Sequence, residues 1–340
     1  MKFEETLTFN DVLIKPSYSE IRSRSEIDLS INLSKGLNFT VPVFPANMKT
    51  IINLEVAEEF YKLGGMCLLH RFCSIDEQIN ILQTLQNKYE DIFDYVGVSV
   101  GVKEEDYKNV KTFYDLGVRI ICIDVAHGDS KNCVFMTSFI HENFHDVFLI
   151  AGNVATSDGA FRLWLAGADA VKIGVGSGSI CLTRTTTGVG VPQLSALIDV
   201  YETRAKNPIL KDKFIISDGG CSKVGDIVKA LCFSDMIMLG NMFAGALETP
   251  GTVIKLDDGR QYKHYDGSST HKSDYIEGVK AMVPAKNKIK EIVKNMLEGI
   301  SSGCSYVGAK TLQELKTNAQ FIKITNAGII ESHAHDVVVK

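Results

Sequence analysis

The densest chemistry in the chain lies in one glycine-rich stretch, GVGSGSICLTRTTTGVG at 174–190. Gly174, Gly176 and Gly178 carry no Cβ, so backbone N–H or C=O groups there can approach a ligand or ion closely. Cys181 follows at once, with Ser179, Thr183 and Arg184 beside it. A thiol among hydroxyls and a guanidinium is a candidate for a lowered pKa and hence for a thiolate nucleophile. The plainer reading is a small loop filler, because thiols are often merely buried. Two further segments offer glycines for an anion, SDGG at 217–220 and LGN at 239–241. A phosphate there would take backbone N–H groups and the positive end of a following helix, and Asp218 could accept from ribose hydroxyls. The alternative is glycines that only turn strands into helices. His141 and His145 lack a nearby third ligand and read as a solvated helix face. His333 and His335 read as tail residues, and Met236 and Met238 as core.

A frame for these loops is visible in eight short apolar runs, at 41–47, 64–70, 95–101, 119–125, 147–153, 169–175, 213–220 and 235–240. Each is nearly continuous in apolar residues, which fits parallel strands covered on both faces. Between them, 53–63, 75–88, 155–165 and 224–231 place apolar residues three or four apart, as amphipathic helices do. Thr156-Ser157-Asp158 and Ser222 are expected helix starts. Eight strand–helix alternations predict an α/β fold, a single (β/α)₈ TIM barrel. No G-x-G-x-x-G follows the first run, which argues against an open doubly wound sheet. The expected organisation is one catalytic domain over 1–340, with an N-terminal segment 1–40 and a C-terminal excursion 249–340 as decorations. Asp-Asp-Gly between two alternating runs predicts a β-hairpin within 249–269.

Composition narrows the class. In 340 residues, 45% are hydrophobic and 23% charged, which excludes disorder. Thirty-six Lys+Arg against 41 Asp+Glu, with no basic block, exclude a sequence-independent grip on nucleic acid. Apolar stretches are too short to cross a bilayer. The start, MKFEETLTFND, has no apolar signal core, and eight cysteines without a C-x-x-C pair read as reduced thiols. The expectation is a cytoplasmic enzyme that uses neither nucleic acid nor membrane.

Longer motifs carry a resemblance. GSGSIC-x-T-R (176–184), TGVGVPQLSA (187–196), IISDGGC (215–221) and MLGNM (238–242) resemble the IMP dehydrogenase/GMP reductase family. So do TFNDVLIKPSYS (8–19), SRSEIDLS (23–30), PANM (45–48), AGNV (151–154) and SYVGA (305–309). The details look like the reductase branch. There is no room between Val100 and Val118 for CBS modules, only seven residues separate Ser269 from Glu277, and no arginine lies between 261 and 340.

This resemblance implies NADPH-dependent reductive deamination of GMP to IMP and ammonia, through a thioimidate on Cys181. It implies Thr183 and Glu277 as a proton relay to the departing amine. Ser179, Asp218, Gly219, Gly220, Gly240 and Asn241 match ribose-phosphate contacts. Asp266, Gly267, Ser268, Glu277 and Gly278 match segments around the base. For NADPH the matching positions are Ser23, Arg24, Arg71, Asp124, Val125, Ala126, Val175 and Gly176. The segment Ser302, Gly303, Cys304 and Ser305 matches one that completes a neighbouring subunit's cofactor site, which implies a homo-oligomer, commonly a tetramer. Backbone carbonyls around Gly176, Gly178 and Cys181 resemble the family's monovalent-cation site, which implies K+. Departures are Lys49 where the family has Asp, Asp266-Gly267-Ser268 for Gly-Met-Ser, and Gly240-Asn241 for Gly-Gly. Alternatives are an IMP dehydrogenase lacking CBS modules and a non-catalytic purine-nucleotide-binding barrel.

Overall fold

Each apolar run contributes one strand to a parallel barrel in the computed structural model, which describes residues 3–267 and 278–334. In chain order the strands are β1 (Val43–Pro45), β2 (Cys67–Leu69), β3 (Val96–Val100) and β4 (Ile120–Asp124). They continue with β5 (Phe148–Val154), β6 (Ala170–Ile173), β7 (Phe214–Asp218) and β8 (Met236–Leu239). Parallel ladders run from β2 in sequence to β8 and on to β1. Just ahead of the remaining pair, Thr40 N–H donates to Gly64 O at 2.9 Å, and the barrel nearly closes there. The strands are buried on both faces, every residue of β2, β3 and β6 among them, which is why their sequences do not alternate.

The helices between strands follow the apolar spacing. They are α1 (Leu54–Lys62), α2 (Ile75–Gln86), α3 (Glu104–Leu116), α4 (Lys131–Asn143) and α5 (Ser157–Leu165). After them come α6 (Gln193–Lys206), α7 (Val224–Leu231) and α8 (Ile289–Tyr306). Thr156 caps α5 as expected, its side chain accepting from Gly159 N–H at 3.2 Å. At α7 the cap position is Lys223, one residue beyond the expected Ser222. Asp226 explains the shift: it reaches back to accept from the N–H and the hydroxyl of Ser222, both at 3.0 Å.

The excursion after β8 holds more than a hairpin. Ile254–Lys255 and Gln261–Asp266 pair antiparallel, as the Asp-Asp-Gly signal predicts. A third strand, Lys280–Pro284, adds to the second along its length, from Tyr262↔Pro284 to Asp266↔Lys280. Lys263 fixes this sheet to the barrel. Its side chain is buried, and its ammonium donates to the carbonyls of Ala246, Leu247 and Thr249 at 3.0, 3.1 and 2.6 Å. The two ends of the chain also meet, since Val12–Lys15 pairs antiparallel with Gln320–Lys323. Among the described residues no helix is long and apolar enough to cross a membrane.

Candidate active site

At the carboxyl ends of the strands lies a cleft of about 260 Å³, the scale of a small-ligand site. The structure gathers there most of the residues singled out in the sequence. From β2 and β4 come Arg71, Asp124, Val125 and Ala126; from the glycine-rich loop come Val175, Gly176, Gly178, Ser179, Cys181 and Thr183. From β7 and β8 come Asp218, Gly219, Gly220, Gly240 and Asn241, and Gly267 arrives from the added sheet. Asp266 and Gly278 do not line the cleft but flank it. Ser268, Glu277 and His335 lie outside the described residues.

The loop carrying Cys181 is held by backbone contacts that only glycine permits. At Gly174 (φ +149°) an added Cβ would come within 2.0 Å of Asp218 O, so the loop leaves β6 directly against the end of β7. Cys181 N–H donates to Gly178 O at 3.1 Å, and Cys181 forms an antiparallel bridge with Gly278. Val279 N–H donates to Ile180 O at 3.2 Å and Gly267 N–H to Val279 O at 3.0 Å, so the added sheet clamps the loop. Cys181 is half-buried, and its thiol donates to Thr183 Oγ1 at 3.2 Å. Burial pushes the other thiols up: Cys73 and Cys304 to about 11, Cys133 and Cys232 to about 12, and Cys67, Cys122 and Cys221 well above the ordinary thiol value. They are therefore poor thiolate candidates.

Arg184 does not play the part its position in the sequence suggests. Its guanidinium is turned to loop carbonyls, donating to Val175 O at 3.3 Å and to Val191 O. Its stem covers Gly176 and Gly190, where an added Cβ would meet Arg184 Cγ at 2.4 and 2.6 Å. It is a brace for the loop. Thr183, not Arg184, is the group in contact with the thiol.

The floor of the cleft contains residues that sequence reasoning passed over. Lys172 on β6 is buried, with its ammonium 2.7 Å from Asp218 Oδ2 and 3.0 Å from Asp124 Oδ1. Burial disfavours the ammonium, but the two carboxylates outweigh that and hold its pKa above the ordinary lysine range. Asn153 Nδ2 donates to Asp218 Oδ2 and to Gly174 O, both at 2.8 Å. One oxygen of Asp218 is thus fixed by protein donors while Oδ1 is left for a ligand. Tyr265 packs over the β8 loop, where a Cβ on Gly240 would meet its hydroxyl at 2.6 Å. The available signals were a lysine inside the apolar run DAVKIGV and the AGNV motif that holds Asn153; nothing local marked Tyr265.

Backbone N–H groups free of acceptors gather where the sequence suggested an anion, without the helix end expected there. Gly219 and Gly220 both have positive φ, +85° and +80°. An added Cβ on Gly219 would lie 2.6 Å from Ser177 Oγ, so glycine is required by space as well as by conformation. The N–H groups of Gly219, Asn241 and Met242 have no acceptor among the described residues. The start of α7 is different, because Asp226 already occupies the N–H groups of Ser222 and Lys223. That carboxylate fills the place an anion would take.

The remaining candidates lie elsewhere. Ser302 to Ser305 form part of α8 rather than a connecting loop. Cys304 is fully buried, and Gly303 faces α7, where a Cβ would meet Val228 at 2.8 Å. Of the four, only Cys304 is buried; Ser302, Gly303 and Ser305 are half-buried. Ser23 and Arg24 do not line the cleft; Arg24 and Ser301 instead share a surface groove. His141, His145 and His333 are exposed, Met236 and Met238 are buried, and Lys49 is exposed. No group of three or more His, Cys, Asp or Glu among the described residues could hold a metal ion.

Known proteins resemble this arrangement along nearly the whole chain. The family model described as IMP dehydrogenase / GMP reductase domain matches residues 6–335. An inosine-5′-monophosphate dehydrogenase of Aquifex aeolicus is 44% identical, over 99% of this chain and 97% of its own. A GMP reductase of Buchnera aphidicola subsp. Schizaphis graminum is 37% identical, over 96% and 97%. A Trypanosoma brucei GMP reductase, solved in complex with guanosine 5′-monophosphate, superposes with a TM-score of 0.89 at 26% identity, covering 99% of each chain. With the family model matched over residues 6–335 and these relatives covered nearly end to end, the chain belongs to the IMP dehydrogenase/GMP reductase family.

Proposed function

We propose that this protein is a GMP reductase, converting GMP to IMP and ammonia with NADPH as reductant. The observation that carries the reading is the placement of Cys181, half-buried in the cleft and bonded to Thr183, between the Asp218 carboxylate and the added sheet. The phosphate would rest on the N–H groups of Gly219 and Asn241, with the ribose on Asp218 Oδ1 and Ser179. The base would lie along Gly267 and Gly278, with Asp266 and Ser268 adjoining. Cys181 thiolate attacks C2 of the purine, and the C2–N bond breaks to release ammonia, leaving a thioimidate. Thr183, with Glu277, carries the proton that the departing amine requires. NADPH, when bound, supplies hydride to C2. The C–S bond then breaks, IMP forms, and the thiolate is restored.

For the dinucleotide, Arg71, Asp124, Val125, Ala126, Val175 and Gly176 line the same cleft as Cys181. Arg71 is anchored by Nε on Asp124 O at 2.8 Å, which leaves its other donors for a ligand. The segment Ser302 to Ser305 would complete a neighbouring subunit's dinucleotide site in a homotetramer, and its place outside this cleft supports that division; Ser23 and Arg24 also fall outside the cleft, with Arg24 in a groove beside Ser301. A monovalent cation such as K+ suits the carbonyls of Gly176, Gly178 and Cys181, which are neutral oxygen donors. One observation favours the dehydrogenase instead, the 44% identity to a named IMP dehydrogenase. Against it, no arginine lies between 261 and 340 to activate the water that a dehydrogenase must add.

Cys181→Ala tests the assignment. Turnover of GMP should be abolished while GMP affinity stays within a few-fold, because the anion and ribose contacts come from other loops. Activity within about tenfold of the parent would remove Cys181 from the mechanism.

A further inference from the structure

The anion cradle has an unusual feature for a site meant to take a phosphate. Of the described residues lining the cleft, only Arg71 and Lys172 are basic. Arg71 bonds to the Asp124 carbonyl, and Lys172 is fixed between two carboxylates. Neither belongs to the loops that carry Gly219, Gly220, Gly240 and Asn241. Among the described residues, a doubly charged group there would meet backbone N–H groups and neutral hydroxyls such as Ser179 and Tyr265, with no cation of those loops beside it.

A cation does reach these loops, from behind. Lys286 follows the third strand of the added sheet, and its backbone N–H donates to Gly245 O at 2.7 Å. Its ammonium donates to the carbonyls of Asn241 and, at 3.3 Å, Met242. The carbonyl of Asn241 and the N–H of Met242 belong to one peptide plane and point in opposite directions. A lysine bonded to that oxygen orients the plane and polarises the N–H on its far side, one of the groups with no acceptor among the described residues. No carboxylate forms an ion pair with Lys286 among the described residues. Burial holds its ammonium down, at about 8, and the two carbonyls it meets are neutral. An anion across the peptide from it would relieve that deficit.

We infer that Lys286 is a positioning residue for the phosphate of the nucleotide, acting through the 241–242 peptide without touching the ligand, so that the cleft selects a phosphorylated nucleoside over the free nucleoside. The inference rests on the GMP reading above and goes further by assigning the charge that balances the phosphate.

The test compares GMP with guanosine by titration calorimetry on parent protein, Lys286→Met and Lys286→Arg. Lys286→Met should lose about tenfold or more in GMP affinity, the scale of one partly shielded charge, while guanosine affinity is unchanged. Guanosine binding also serves as the check that the variant is folded. Lys286→Arg should recover part of the GMP affinity. Parent affinity for GMP should fall as pH rises through and beyond 8, and the methionine variant should lack that fall. Equal losses for both ligands would reduce Lys286 to a structural role and overturn the inference. So would GMP binding to Lys286→Met at parent affinity. Parent protein that binds guanosine or GMP not at all would instead remove the nucleotide reading, and Lys286's role with it.

Discussion

Removing the Lys172 ammonium is the sharpest perturbation the cleft offers. In Lys172→Met the stem length is kept, but Asp124 and Asp218 then share the floor with no cation between them. Breaking a buried ion pair by deleting one partner typically costs about 3–5 kcal/mol. Here the two carboxylate side chains keep 19% and 20% exposure, and Asn153 still donates to Asp218, so the lower end, about 3 kcal/mol, is expected. For a chain of 340 residues that corresponds to roughly 4 °C in Tm. The lysine's folded pKa is raised, so its stabilisation is present in full below the unfolded value and is lost only as pH rises through the higher folded value. The loss should therefore be the same at pH 6 as at pH 9. Urea unfolding at both pH values reads it, with unchanged m as the check on cooperativity. Lys172→Met/Asp218→Asn removes one of the opposed charges and should recover at least about 1 kcal/mol of the loss. A single variant less than about 1 kcal/mol below the parent, or a double variant worse than the single, would refute the reasoning.

Other consequences can be measured on the same preparation. Gly97 in β3 faces the next strand so closely that a Cβ would lie 2.4 Å from Ile120 O; Gly97→Ala should lower stability by about 1–3 kcal/mol, read as a lowered Tm. Lys286 has a depressed folded pKa, so between about 8 and the unfolded lysine value the unfolded chain binds more protons. Stability should rise with pH across that window, and Lys286→Met should flatten the rise in urea titrations. If the neighbouring subunit completes the dinucleotide site, dilution through dissociation should lower NADPH affinity while GMP affinity changes little. Light scattering beside fluorescence titration would show this, and a monomer that binds both ligands undiminished would contradict it.

The eight strands were legible because a doubly covered parallel strand writes a nearly unbroken apolar run, and each run here holds one. The cleft was legible because glycines cluster where loops cross strand ends, as at Gly174 and Gly219. What sequence could not supply was the direction of long side chains. Arg184 lies three residues from Cys181 yet turns to Val175 and Val191, and Lys172 reads as an intrusion in an apolar run until Asp124 and Asp218 close around it. Long-range pairing was equally hidden. The register of Val12–Lys15 on Gln320–Lys323, and of Lys280–Pro284 on Gln261–Asp266, depends on partners far away in sequence or on a strand of ordinary composition. The segment 302–305 gave no local sign of its helical state; it lies in α8, with Gly303 packed on Val228 of α7.

The most direct measurement follows the absorbance of the reduced nicotinamide in two reactions of the purified protein. With GMP and NADPH, absorbance should fall in step with the appearance of IMP and ammonia, and the fall should vanish in Cys181→Ala. With IMP and NAD, absorbance should scarcely rise. Rapid NADH formation from IMP, with GMP and NADPH inert, would contradict the reductase reading and assign the cleft to dehydrogenation.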